Sequence, residues 1–353
     1  MAYTFQFKRY CLPLRTPLRT AHGWWAEREG ILVRLADEQG RAGFGEIAPI
    51  PWFGTETMAE AEKICRDFGP QVTAEVLDAV PERFGCVRFA LGAALAEVAR
   101  GLRTRLDETT EPQRQTRPEA GFHLPAVRLP VAALLPAGRE ALAALTAKLE
   151  AGFLAFKWKV GVGDAADELG LLDDLLARLP DYAKLRLDAN GAWSRRQAAQ
   201  WLQRCADRPI EFVEQPVAPA EEDTLLGLAA DYPVRLALDE SVVQLAEARH
   251  WQALGWPGIF VVKPALAGPL PGLVKWVLET KADVVFSSAI ETAVGRHRIL
   301  RVILEQKLST RALGFGVGGI FGDRRWDGPE LGPLADASAL GADPGEAAWN
   351  ALN

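Results

Sequence analysis

The sequence predicts an α/β chain in which an eight-stranded βα barrel follows a smaller α+β module. Three observations carry this reading. From Leu124 onward, eight short strand-like segments alternate with helical ones over some two hundred residues, more strands than an open doubly wound sheet usually has. The first hundred residues instead run strands and then helices. Ionisable residues also recur at one phase of the βα period, at the ends of strands that are otherwise apolar, as in FVEQP, LALDES and FVVKP.

In the N-terminal module, Ile31–Leu35 and Ala42–Ile47 read as strands joined by a turn near Gly40. Thr57–Phe68 and Val87–Gly101 read as helices, the second with Phe89, Leu91, Ala94, Leu95 and Val98 on an apolar face. Arg103–Ala120 is polar and without apolar period, and reads as a linker. The barrel strands are expected at Val127–Leu135, Ala155–Val160, Lys184–Asp188, Glu211–Glu214, Val234–Asp239, Ile259–Lys263, Asp283–Ser287 and Ala312–Phe315. Between them lie helical patterns such as Asp164–Leu179, Ser194–Cys205 and Leu245–Leu254, with Ser194 a natural N-cap. The Gly-, Pro- and Ala-rich tail after Asp323 is expected to return to the N-terminal module. The domains are therefore 1–120, completed by 324–353, and 121–323.

Composition narrows the function. Of 353 residues, 49% are hydrophobic and 24% charged, which excludes a disordered regulator. A net charge of −6 with no Lys/Arg cluster argues against nucleic acid. No run of roughly 18 apolar residues could span a bilayer, and Lys8 and Arg9 interrupt any signal peptide. The scattered Cys11, Cys65, Cys86 and Cys205 read as reduced thiols of a cytoplasmic protein. An excess of Trp, 11 beside only 4 Tyr, is left over.

Steps of 29, 26, 25 and 24 residues separate Lys159, Asp188, Glu214, Asp239 and Lys263, and Ser287 follows 24 further on. Each step is one βα unit, so all of these groups fall on the C-terminal rim, where barrel active sites lie. Three converging carboxylates repel one another unless a cation sits between them. Their oxygens suit a hard divalent ion, Mg2+ or Mn2+, with positions left for substrate and water. Lys157 and Lys159 share a face by period-two alternation, and Lys263 stands across the mouth. A lysine beside a metal and a second cation is expected to have a lowered pKa and to serve as a general base. Gln215 and Glu240 point the other way on the same alternation. The arrangement suits removal of a proton alpha to a metal-bound carboxylate, with the second lysine stabilising the enediolate.

The blocks F-K-W-K-V-G, R-L-D-A-N-G-A-W, F-V-E-Q-P, L-D-E-S, V-V-K-P-A-L-A-G and S-S-A-I-E-T occur in order. The chain thereby resembles the enolase superfamily, muconate-lactonizing subgroup, and within it the o-succinylbenzoate synthases. The resemblance implies a modified TIM barrel, (β/α)7β, with an α+β capping domain. It implies Asp188, Glu214 and Asp239 as metal ligands and Lys159 and Lys263 as the acid/base pair. Lys157, Arg186, Asn190, Ser287 and Ser288 match supporting or substrate-contact positions. Arg19–Glu29 resembles a mobile capping loop that closes the mouth with Pro49–Gly54, placing Trp24, Trp25, Trp52 and Phe53 over the substrate. Trp25 and Arg28 are taken as substrate contacts, with a structural pair to Glu46 or Glu29 the alternative for Arg28, and His22 as worth separate attention. Trp158 and Trp193 are expected beside the site, which would account for part of the tryptophan excess.

The implied reaction is Mg2+-dependent syn dehydration of 2-succinyl-6-hydroxy-2,4-cyclohexadiene-1-carboxylate, a small dicarboxylate, to o-succinylbenzoate in menaquinone or phylloquinone biosynthesis. Two rivals remain: a racemase or epimerase of N-succinylamino acids or dipeptides on the same scaffold, and a catalytically silent barrel acting as a binding protein. Glu291 and Thr292, and the absence of a D-x-D block after strand eight, favour the lyase. The oligomeric state is left open.

Overall fold

The computed structural model of the chain describes residues 1–20, 23–110, 127–328 and 330–352. The first module contains β1 (Ala2–Thr20), β2 (Gly23–Ala36), β3 (Ala42–Ile47), α1 (Met58–Asp67), β4 (Gln71–Thr73), α2 (Ala74–Asp78) and α3 (Gly85–Thr110). The strands form an antiparallel sheet in the order β3-β2-β1-β4. Helix α3 lies directly on β3, and two glycines make this contact feasible. A Cβ at Gly43 would sit 2.0 Å from the Ala94 carbonyl oxygen, and one at Gly45 would sit 2.0 Å from that of Ala90. Two residues on a strand and four on a helix advance by similar distances, so the pairs match.

Two expectations are corrected in this module. Helix α3 continues through Arg103–Thr110, which had read as linker. The apolar stripe ends there, but Leu, Arg and Glu are good helix formers. The rest of that expected linker lies outside the described residues. The expected loop Arg19–Glu29 is instead part of a long β1–β2 hairpin, with Leu18 opposite Trp25 and Thr20 opposite Gly23. The aromatic pair favours extended structure. Residues 21 and 22, His22 among them, lie outside the described residues.

The second module alternates β5 (Leu129–Leu135), α4 (Glu140–Glu150), β6 (Ala155–Lys159), α5 (Ala165–Arg178), β7 (Lys184–Asp188), α6 (Arg195–Cys205) and β8 (Ile210–Glu214). It continues with α7 (Glu222–Asp231), β9 (Leu236–Leu238), α8 (Leu245–Ala253), β10 (Ile259–Val262), α9 (Pro264–Ala267), α10 (Leu270–Thr280), β11 (Val284–Phe286), α11 (Ala293–Gln306) and β12 (Leu313–Gly316). Neighbouring strands from β5 to β11 pair in parallel, and β12 pairs with β5. A single parallel bridge, Ser287 to Gly314, joins β11 to β12 and closes the ring. The predicted barrel and α+β cap are thus both present. Ser194 caps α6 through a reciprocal bond with Gln197.

The tail touches both modules. β13 (Leu334–Ala335) pairs antiparallel with β5. α12 (Gly345–Ala351) brings Trp349 within 6.2 Å of the Phe44 ring, and Lys8 Nζ donates to the Trp349 carbonyl at 3.0 Å. Cap and barrel are further joined by Arg100–Glu305 (2.6 Å) and Arg301–Glu97 (3.1 Å). All four cysteines are free thiols. No helix among the described residues is long and apolar enough to cross a membrane.

Candidate active site

The strand ends converge on a cavity of about 410 Å3 at the barrel mouth. Parallel register fixes which groups meet. Lys157 lies opposite Arg186, Lys159 opposite Asp188, and Asp188 opposite Glu214. Lys157, Lys159, Arg186, Asp188, Asn190, Glu214, Asp239, Lys263, Ser287 and Ser288 all line the cavity, so ten of the twelve predicted site residues are brought together.

Lys157 Nζ lies between two carboxylates, donating to Glu214 Oε1 at 2.6 Å and standing 2.7 Å from Asp188 Oδ2. Burial disfavours its charge, but Asp188 and Glu214 more than offset this and raise its pKa. Asp188 is likewise penalised by burial, and Lys157 holds its carboxyl below the usual range. Glu214 goes the other way: burial and the neighbouring Asp188 push it well above a normal carboxylate. Asp239 adds a third carboxylate just past β9 and bonds to Lys263. Among the described residues no three acidic, His or Cys side chains close on a common point, and Lys157 and Lys263 each pair with one or more of the acids. The donor set, three carboxylates from successive strand ends, fits a hard divalent cation.

The lysines differ in their partners. Lys263 is ion-paired with Asp239, and its ammonium faces the Phe53 ring 4.2 Å from the centroid. Lys159 has no hydrogen bond or ion pair among the described residues. The loop after it is tightly held: buried Glu168 accepts the N–H groups of Gly161, Val162 and Gly163 at 2.8–3.1 Å.

Neighbours of the acids are fixed by their own bonds. Gln215 is fully buried at φ 38°. Its Oε1 accepts from the Asp239 and Ser241 N–H groups, and its Nε2 donates to Val217 O and Ser241 Oγ. It thus joins the strand end of Glu214 to that of Asp239. Glu240, expected to face away, lines the cavity and accepts from Asn190 Nδ2 at 3.1 Å. Strand β9 ends at Leu238, so alternation no longer governs Glu240. Burial, then Asp239 and Asp188, push Glu240 up to about 7.

Other expectations resolve individually. Arg186 donates from Nε to Glu211 at 2.7 Å and from Nη1 to the Ala312 carbonyl, low in the cavity. Ser287 Oγ donates to Gly314 O, and Ser288 Oγ donates to Glu291 at 3.0 Å. Trp25 is not a cavity residue; it packs edge-on against Trp52 at 5.1 Å, while Phe53 from the same turn reaches the cavity. Arg28 is corrected most sharply. It is buried, and its guanidinium donates to the carbonyls of Glu29, Ala48, Pro49, Ala289 and Ile290, leaving it outside the cavity. Trp158 and Trp193 are buried in the hydrophobic core, and Trp193 stacks on Trp201 at 4.9 Å. Neither lines the cavity.

Sequence reasoning missed Glu46 as a docking group. From β3 it accepts the Tyr10 hydroxyl at 2.5 Å, the Thr292 hydroxyl at 2.6 Å, and the N–H groups of Thr292 and Gly295 at 2.8 Å. The helix N-terminus of α11 favours such a carboxylate. An acidic residue inside an apolar strand, G-F-G-E-I, was the available signal.

Comparison with known proteins agrees with this geometry. Residues 3–98 match the family model described as MenC, N-terminal domain, and residues 140–278 match Enolase C-terminal domain-like. An o-succinylbenzoate synthase of Thermosynechococcus vestitus is 41% identical over 89% of this chain and 92% of its own length. The chain belongs to the o-succinylbenzoate synthase family. A member from Yersinia enterocolitica is 31% identical over 83% of this chain and 84% of its own. The solved o-succinylbenzoate synthase of Thermosynechococcus elongatus BP-1, complexed with Mg in its active site, superposes with a TM-score of 0.81. That pair is 36% identical over 99% and 100% of the two chains. The L-Ala-D/L-Glu epimerase of Bacillus subtilis shares the fold, with a TM-score of 0.74 at 20% identity over 94% of each chain.

Proposed function

We infer that the chain is a Mg2+-dependent carbon–oxygen lyase that converts 2-succinyl-6-hydroxy-2,4-cyclohexadiene-1-carboxylate to o-succinylbenzoate, in menaquinone or phylloquinone biosynthesis. The observation that carries this is the asymmetry of the lysines: one free, one ion-paired, on either side of three carboxylates. A cation bound by Asp188, Glu214 and Asp239 would neutralise the substrate carboxylate and lower the cost of charge developing beside it. Lys159 takes the alpha proton and returns it to the departing hydroxide, consistent with syn elimination from one face. Lys263 remains protonated and faces the delocalised anion. Lys157 carries the charge balance of Asp188 and Glu214. Phe53 helps exclude water above the ring.

Among the cavity's described lining residues, the acids come only from β7, β8 and the end of β9, with none following β12 to hold an amino group. His297, with Arg298 and Arg301 against it, is likewise outside the cavity. Both features support the lyase over a dipeptide epimerase or a His-dependent racemase. We further propose the division into a cap of 1–120 with 324–353 and a barrel of 121–323, and a cytoplasmic location. The experiment is the absorbance change on aromatisation with Mg2+, run beside deuterium exchange into each enantiomer of an N-succinylamino acid. Rapid dehydration without exchange supports the lyase; exchange without dehydration overturns it.

A further inference from the structure

Ile290 carries a β-branched side chain at φ 58°, a region such residues avoid because Cβ crowds the following carbonyl. Strain of this kind persists only where the surroundings over-determine it. The Ile290 N–H donates to Ser288 Oγ at 3.0 Å, and the Ala289 N–H donates to Glu291 at 2.7 Å. The Ala289 and Ile290 carbonyls accept from Arg28 at 3.4 and 3.0 Å. Just beyond, Thr292 gives its N–H and hydroxyl to Glu46. Arg28 and Glu46 come from the cap, whereas the turn belongs to the barrel and Ile290 lines the cavity. Arg28 also binds the carbonyls of Ala48 and Pro49, so one planar guanidinium ties the exit of β3 to this turn.

We propose that Arg28 and Glu46 are positioning residues that hold the Ser288–Thr292 turn in its strained form and thereby set the Ile290 wall of the substrate cavity. Neither touches the reacting atoms; both act through the turn. This rests on the dehydratase reading above.

The test is a double-mutant cycle measured with the cyclohexadiene substrate and Mg2+. Arg28→Met is expected to raise KM about fivefold or more while kcat changes less than about threefold, since a displaced apolar wall weakens ground and transition states alike. In an Ile290→Gly background the same substitution is expected to change KM less than about twofold. Glycine accepts positive φ without the clamp and has no side chain to misplace. Equal effects of Arg28→Met in both backgrounds would overturn the proposal. Glu46→Gln, measured in the same cycle, decides it if Arg28→Met does not yield a folded protein. If neither variant folds, the two residues are structural and the proposal fails. Absence of dehydration by the unsubstituted protein would instead refute the functional reading.

Discussion

Lys157 and Lys159 share one strand and line one cavity, yet only Lys157 touches a carboxylate. Two residues of rise place Lys157 level with Arg186 and Lys159 level with Asp188. The lower lysine pairs with the acids, and the upper one is the group to which the proposed mechanism gives proton transfer. Lys159→Ala should therefore abolish turnover, by about 100-fold to 10,000-fold, the range a positioned acid–base group contributes. With no ion pair lost, its melting temperature and Mg2+ affinity should match those of the unsubstituted protein. Absorbance kinetics, a thermal melt and calorimetric titration measure all three, and near-normal turnover would refute the mechanism.

Lys157→Met should act quite differently. It strands the buried acids Asp188 and Glu214, and breaking such a pair costs about 3–5 kcal/mol. The metal-free variant should melt at lower temperature than the unsubstituted protein. Added Mg2+ should restore more stability to the variant, because the ion takes over the lysine's charge. Equal Mg2+-induced shifts in both proteins would contradict this role.

Gln215 has no charge, but it holds the backbone of Asp239 relative to Glu214. Gln215→Leu should weaken Mg2+ binding by about 10-fold to 100-fold, typical for loss of a group that orients metal ligands. Asp239→Asn should weaken it as well, by removing a ligand charge. Calorimetric titration compares the two; unchanged affinity in Gln215→Leu would dismiss the bridging role.

His297 provides a pH prediction away from the metal site. Burial, then Arg301 and Arg298, push its pKa down to about 4 from an ordinary 6.5. Between those values the unfolded chain binds more protons than the native one, so stability rises with pH across this window. Acidification from pH 6.5 to 4 should cost at most about 3 kcal/mol through this residue. His297→Gln should flatten that part of the curve in urea titrations at stepped pH, and an unchanged slope would contradict it.

The site was legible because the barrel is parallel. Strands buried on both faces are nearly all apolar, so Lys159, Asp188, Glu214, Asp239 and Lys263 stand out at regular intervals. Relationships spanning the two modules were not legible. Glu46 meets Thr292 across 246 residues, and Arg28 meets Ile290 across 262. No periodicity encodes such pairs, and the hydrogen-bond partners of Arg28 are backbone carbonyls, which every residue has. Glu240 was misplaced for a different reason: it lies beyond the end of its strand, where alternation no longer holds.

The packing of Trp349 and Lys8 has a consequence for synthesis. Strand β1 precedes the whole barrel in the chain, yet α12, which packs against Phe44 of the same sheet, follows it. Vectorial translation thus produces the sheet's opening strands long before their covering helix. The first module therefore stays without its covering helix throughout barrel synthesis, and its packing is completed only after the barrel's strands have been made.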